Sequence, residues 1–168
     1  TLNGRWLALA RLLLGRADDA TAALERALAL AIDGPQVPSE LLIRAELARV
    51  LAAQGDRAGA AGHLARCDEI VGVGEDWRGV VGVVELARGA LASVRGHRRR
   101  SDVAYARALE VFGVYQLPWR RAEALHAWAQ SLVAAGHADE AAERHRAAST
   151  AYEELGAAPR WRRPLAAA

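Results

Sequence analysis

Apolar residues recur at three- and four-residue steps along most of the chain, and short polar turns containing glycine interrupt the runs. That spacing puts the apolar side chains on one face of a helix. Leu2, Trp6, Leu7, Leu9, Leu12 and Leu13 mark a first helix over about 2–14. Gly15 ends it, and Asp18 or Asp19 is placed to cap a second helix running to about Ile32. Asp33-Gly34-Pro35-Gln36-Val37-Pro38-Ser39 reads as a linker, because proline resists helix continuation and biases its predecessor away from helical geometry. Ser39 is then the expected N-cap of a helix over about 40–53, with another over about 57–71 after Gly55-Asp56. Gly72-Val73-Gly74-Glu75 breaks the pattern, and Asp76 is expected to cap a helix over about 77–95. One more helix spans about 99–113. From Pro118 to Leu155 two helices flank Gly136, marked by Ala122, Leu125, Ala129 and Leu132 before it and by Ala141, His145, Ala148, Tyr152 and Leu155 after it. No segment alternates as a strand would. The predicted class is all-α: one domain of four antiparallel helix hairpins, at about 2–33, 39–72, 76–114 and 118–156, with a tail over 157–168.

The hairpins are copies. Their turn glycines Gly15, Gly55, Gly96 and Gly136 are spaced by 40, 41 and 40 residues. Seven residues before them stand Ala8, Ala48, Gly89 and Ala129; five after, Ala20, Ala60, Ser101 and Ala141; twelve after, Ala27, Cys67, Ala108 and Ala148. Ala, Gly, Ser and Cys fill 61 of 168 positions, so twelve matching slots arise by chance about once in 10^5 trials before the choice of register. Nine residues after each glycine comes the larger residue of the set: Leu24, Leu64, Tyr105 and His145. Small residues let the two helices of a hairpin approach, and the larger one fills the groove to the next hairpin.

Composition narrows the function classes. There are 40 alanines but only five Trp, three Tyr and one Phe, which suits close helix packing rather than a core of large side chains. All 22 basic residues other than histidine are arginine, and the net charge of +2 is too small to argue for nucleic acid. A single cysteine forms no internal disulfide and fits a reducing compartment. No apolar run nears the roughly 20 residues that span a bilayer, and no signal-peptide pattern opens the sequence. These features read as cytoplasmic, with no membrane contact. The missing initiator Met and the start at Thr1 are read as an excised piece of a longer chain.

Gly-Asp-Arg-Ala-Gly-Ala (55–60) and Gly-His-Ala-Asp-Glu-Ala (136–141) resemble the turn of the tetratricopeptide repeat, and Ala141 to Ala148 resembles its second helix. The period near 40, against the usual 34, and the lack of a closing proline depart from the family pattern. Such longer Ala/Arg-rich repeats are similar to the C-terminal repeat regions of LuxR-type, maltose-regulator-like ATP-binding transcription activators and of ATPase-linked nucleotide cyclases. The run Tyr115 to Trp128, closed by Tyr152-Glu153-Glu154-Leu155-Gly156-Ala157, resembles their last repeat. The resemblance implies a superhelical array whose first helices line a concave face, with Arg5, Leu9, Arg49, Ala90, Ser93, His126 and Gln130 pointing inward. It also implies a non-enzymatic scaffold of a bacterial regulator, without cofactor, that recognises a protein or peptide segment or a small effector.

On that face Arg5, Arg49, His126 and Gln130 are the candidate binding residues, since each can hydrogen-bond a carboxylate or a peptide backbone. The simpler reading is a solvated helix face. Cys67 occupies a slot that is Ala in the other copies and reads as packing rather than as a nucleophile. No histidine spacing suggests a metal site, and His145 falls in a groove-filling slot. Gly72-Val73-Gly74-Glu75-Asp76-Trp77 lacks the third glycine and the preceding strand of a dinucleotide loop. Arg95, Arg98, Arg99 and Arg100 crowd one turn, and Trp161-Arg162-Arg163 ends the chain; phosphate or nucleic-acid binding there competes with a solvated turn matched by nearby Glu and Asp. Trp119, beside a linker, is the aromatic best placed for an exposed contact. Two alternatives to a binding scaffold stay open: a purely structural or oligomerisation module, joined through the apolar first hairpin at Leu2, Leu7 and Leu13, and weak nucleic-acid binding through the arginine turns.

Overall fold

The structure, a computed structural model, describes residues 17–157; the expected helix over 2–14, the apolar interface at Leu2, Leu7 and Leu13, and the tail from 158 on lie outside the described residues. Over 17–157 the chain is all-α: α1 (Ala17–Asp33), α2 (Val37–Ala53), α3 (Arg57–Val71), α4 (Val80–Val94), α5 (Arg98–Val114), α6 (Pro118–Ala134) and α7 (Ala138–Glu154).

The turns share one device. Gly55, Gly96, Gly136 and Gly156 take φ values of +86°, +72°, +80° and +66°, the left-handed region that costs an L side chain but not glycine. The next N–H then reaches back to a carbonyl of the last turn: Asp56 to Leu51 at 2.9 Å, His97 to Ala92 at 2.9 Å and His137 to Leu132 at 2.9 Å. After α5 the same position is held by Gln116 at φ +51°, and the N–H of Leu117 donates to the Phe112 carbonyl at 2.8 Å. No glycine marks this turn in the sequence.

Three predicted caps are placed differently. Pro38 lies within the first turn of α2, so the helix begins at Val37 with Gln36 before it, and Ser39 is not its cap. Proline's fixed φ and missing N–H suit a first turn, which is why the linker ends sooner than expected. Asp76 does not cap α4, which begins at Val80. Its carboxylate instead accepts from the Arg78 N–H at 2.8 Å and the Tyr115 hydroxyl at 2.7 Å, pinning the connection between the second and third predicted hairpins. Asp18 and Asp19 stand inside the first turn of α1, where negative charge favours the helix N-terminus. Asp56 does cap α3, accepting from the Gly59 N–H at 2.9 Å.

Helices α2/α3, α4/α5 and α6/α7 pair as hairpins, α1 packs on α2, and α4 packs on both α2 and α6. The second helix of one hairpin also packs on the first helix of the next, α3 on α4 and α5 on α6. The repeated small slots are the seams: Ala48, Ala60, Cys67, Gly89, Ser101, Ala108, Ala129, Ala141 and Ala148 are all buried. Side-chain volume is balanced across a seam. Ala48 belongs to the copy with Leu64, whereas the copy with the larger Tyr105 has Gly89, where an added Cβ would lie 3.0 Å from the Tyr105 ring. Leu24, Leu64 and Tyr105 are buried in their groove-filling slot, while His145, in the last described hairpin, is half-buried.

Candidate functional site

Of the four candidate binding residues, Arg5 lies outside the described residues. Arg49 stands on α2, half-buried, and its guanidinium donates to Glu46 at 3.0 Å. It belongs to a larger group. Arg120, from the first turn of α6, donates to Glu46 at 3.1 Å and to Glu123 at 2.7 Å, so one guanidinium joins carboxylates on two helices. The Arg120 side chain is only 12% exposed and that of Glu123 only 8%. Burial works against the Arg120 charge, but the adjacent Glu46 and Glu123 outweigh it and hold its pKa above the ordinary value. Two cations and two anions therefore neutralise one another on this face. The pairs Glu46–Arg49 and Arg120–Glu123 follow helical i,i+3 spacing and are readable in the sequence. The link between them, 74 residues apart, is not.

His126 does not stand free in a groove. Its ring lies 6.0 Å from that of His145 and 6.5 Å from that of Tyr152, both on α7. Burial and the charge of His145 push its pKa below the ordinary histidine value. The same slot in the two earlier described hairpins holds Ala45 and Leu86, both fully buried, while Arg5 fills it in the first copy, outside the described residues. Gln130 is exposed on α6. Thus the structure brings Arg49 into the charged quartet, puts His126 in a helix seam and leaves Gln130 on the surface. Ser93, expected to face the groove, accepts a hydrogen bond from Ser131 at 2.7 Å, tying α4 to α6.

The remaining expectations divide in the same way. Cys67 is fully buried and its thiol is pushed up to about 12, mainly by burial, so it is no thiolate at neutral pH. Trp119 is half-buried with its ring 5.4 Å from Tyr152 in an edge-on contact, rather than exposed for a partner. Trp128 donates to Asp102 at 2.8 Å and stacks near Tyr105, with the Arg144 guanidinium 4.3 Å from its ring. A second cross-helix ion pair was not legible: Glu40 on α2 accepts from Arg44 at 2.8 Å and from Arg66 on α3 at 3.3 Å. Burial opposes the Glu40 charge, yet these two partners hold its carboxyl below the usual carboxylate range.

The arginine turn after α4 divides into two parts. Arg98 is matched, donating to Asp102 at 3.1 Å and to Glu140 at 2.7 Å. The other arginines open onto a cavity of about 440 Å³ between α3, α4 and α5. Its floor is apolar, built from Leu64, Leu91, Ala92, Val103 and Ala104. Around it stand Arg88, Arg95, Arg99, Arg100 and Arg107, with Glu85 the one carboxylate. Arg88 pairs with Glu85 and with Asp68 of α3. Arg95 donates to the Arg57 carbonyl at 3.2 Å. Among the described residues Arg95, Arg99, Arg100 and Arg107 make no ion pair with a carboxylate. The volume falls in the range of ligand sites, roughly 300–1,000 Å³.

Among the described residues no three His, Cys, Asp or Glu side chains group as metal ligands, and no helix is long and apolar enough to cross a membrane. No family model, no curated protein and no solved structure matches the chain.

Proposed function

We propose that the chain is a non-catalytic binding scaffold, a tetratricopeptide-like array within a larger bacterial regulator, that recognises a protein segment or small effector along its first helices. The observation that carries this reading is the Glu46–Arg120–Glu123 bridge, which joins the α2/α3 hairpin to the α6/α7 hairpin. A buried ion pair is a poor source of stability, because desolvating both charges offsets their attraction. What it fixes is arrangement. Here it holds α2 and α6 in one relation on either side of α4, so that Arg49, with N–H groups beyond the one given to Glu46, and Gln130 sit at set positions. A surface held in advance loses less entropy when a partner binds.

The same bridge also favours a second reading, in which the array is purely structural and the face binds nothing. One experiment separates them. A random-peptide library is panned against the intact chain and against an Arg49→Ala/Gln130→Ala double variant. The scaffold reading expects one sequence pattern enriched on the parent and lost on the variant. Enrichment of no common pattern, or turnover of any substrate by the chain, overturns it.

A further inference from the structure

The groove between α3, α4 and α5 lies apart from the first-helix quartet and is built on a different principle. Arg88 and Arg95 are seven residues apart along and just past α4, about 10 Å at the helical rise. Arg99 and Arg107 are eight apart on α5, about 12 Å. Arg88 is matched by Glu85 and Asp68, so the charge left unpaired runs from Arg95, Arg99 and Arg100 at the turn to Arg107 along α5, beside the apolar floor of the same cavity. Val103, in that lining, is 54% exposed, a β-branched apolar side chain that the described chain leaves more than half uncovered.

We propose that this groove docks an acidic amphipathic helix of a partner protein, its apolar side chains on Val103, Leu91 and Leu64 and its carboxylates on Arg95, Arg99, Arg100 and Arg107. The mode is helix-in-groove recognition, in which i, i+3, i+4 and i+7 anchors fill an apolar trough. Charge that continues along α5 to Arg107, beside an apolar lining, argues against a single phosphate, which needs donors aimed at one place and no apolar surface. His97 is the one aromatic ring in the lining, with no Phe, Tyr or Trp, so the run of stacking platforms of single-stranded nucleic-acid sites is missing. Residues 1–16 and 158–168 carry only arginine among charged residues and would be repelled, so the occupant is not either end of this sequence. Bidentate arginine–carboxylate contacts set the orientation, and burial of the apolar face supplies the affinity.

The test titrates the intact chain against a fluorescently labelled Leu/Glu peptide of about five helical turns, with leucines on one face, and reads anisotropy at low salt. A scrambled peptide of the same composition is the control. The amphipathic peptide is expected to bind at least about tenfold tighter than the scrambled one. An Arg99→Glu/Arg107→Glu double variant is expected to lose at least about tenfold, and Val103→Ser about threefold, with circular dichroism unchanged. Equal binding of the scrambled peptide, no binding, or displacement of the peptide at lower concentration by an oligonucleotide or by inorganic pyrophosphate each overturns the proposal. So does a dimer in sedimentation that the double charge reversal dissociates, because the occupant would then be a second copy. The Arg49→Ala/Gln130→Ala variant is expected to bind the peptide as the parent does; loss there would move the site to the first-helix face and sink the groove.

Discussion

On the first-helix face Arg120 is 12% exposed and held between two carboxylates, whereas in the groove between α3 and α5 the arginines at 99, 100 and 107 are exposed and share that cavity with a single glutamate. The chemistry of the side chain is the same; the solvent around it is not. A guanidinium taken out of water needs charged partners at contact distance, and the chain supplies Glu46 and Glu123. One left in water needs none. Arginines without partners on a groove rim are therefore cheap for the fold and free for a ligand. Charge count already separates the two regions, since the quartet's two arginines meet two glutamates whereas the groove lining holds five arginines and one glutamate.

The contrast makes graded predictions. Arg120→Leu strands Glu123 in a poorly solvated seam, leaves Glu46 with Arg49 alone, and should cost about 3–5 kcal/mol in chemical denaturation. Adding Glu46→Gln and Glu123→Gln should recover much of the loss; no recovery would mean that packing, not charge, holds this face. Gly89→Ala probes the α4/α5 hairpin, which lines the groove and whose α4 packs on both α2 and α6. Its new methyl would press on the Tyr105 ring, for a loss of about 1–3 kcal/mol, and Tyr105→Leu should relieve it, as Leu64 does opposite Ala48. A thermal melt of the double variant decides whether volume balance explains this seam.

A smaller effect concerns pH. His126 has its pKa lowered by burial and by His145, so the folded chain holds it neutral while the unfolded chain protonates it near the ordinary value of 6.5. The unfolded state then binds more protons, and the stability present above about pH 6.5 is lost as pH falls through that value. His126→Leu, the residue type of the equivalent Leu86, should flatten the fall in melting temperature between pH 7.5 and 5.5 relative to the parent. A parallel fall in both proteins would refute it. Smallest of all, Arg107→Gln in the groove should leave stability within about 0.5 kcal/mol of the parent. A clear loss would show that the groove arginines serve the fold.

Much of the architecture is visible in the residues themselves. Gly55, Gly96 and Gly136 mark turns because only glycine takes their φ without strain, and the small slots mark seams because only small side chains fit there. Gln116 hides another such turn, since the backbone carries the conformation without its usual residue. Asp76 misled because an aspartate before an apolar run suits a helix cap and a turn equally well, and Tyr115, 39 residues on, settled which. The site was legible only in part. Arg49 and the arginine turn stand out by type and spacing. That Arg98 is matched by Glu140 while Arg99 and Arg100 are not depends on which way each residue leaves the helix and on what lies 42 residues later. His126 read as a groove residue because a family analogy placed it there; of its register partners, Arg5 suits that reading by type, whereas Ala45 and Leu86, both buried, suit a seam.

The Glu46–Arg120 bridge bears on how the chain unfolds. Hairpin arrays lose structure piecemeal from their ends, because each unit is coupled only to its neighbours. Helices α2 and α6 are not packing neighbours, yet this ion pair joins them across α4. Fraying of the last hairpin must break a contact with the first complete one, which stiffens both against partial opening. Native-state hydrogen exchange would then report α2, α4 and α6 opening as one cooperative unit, and α1 opening separately from it.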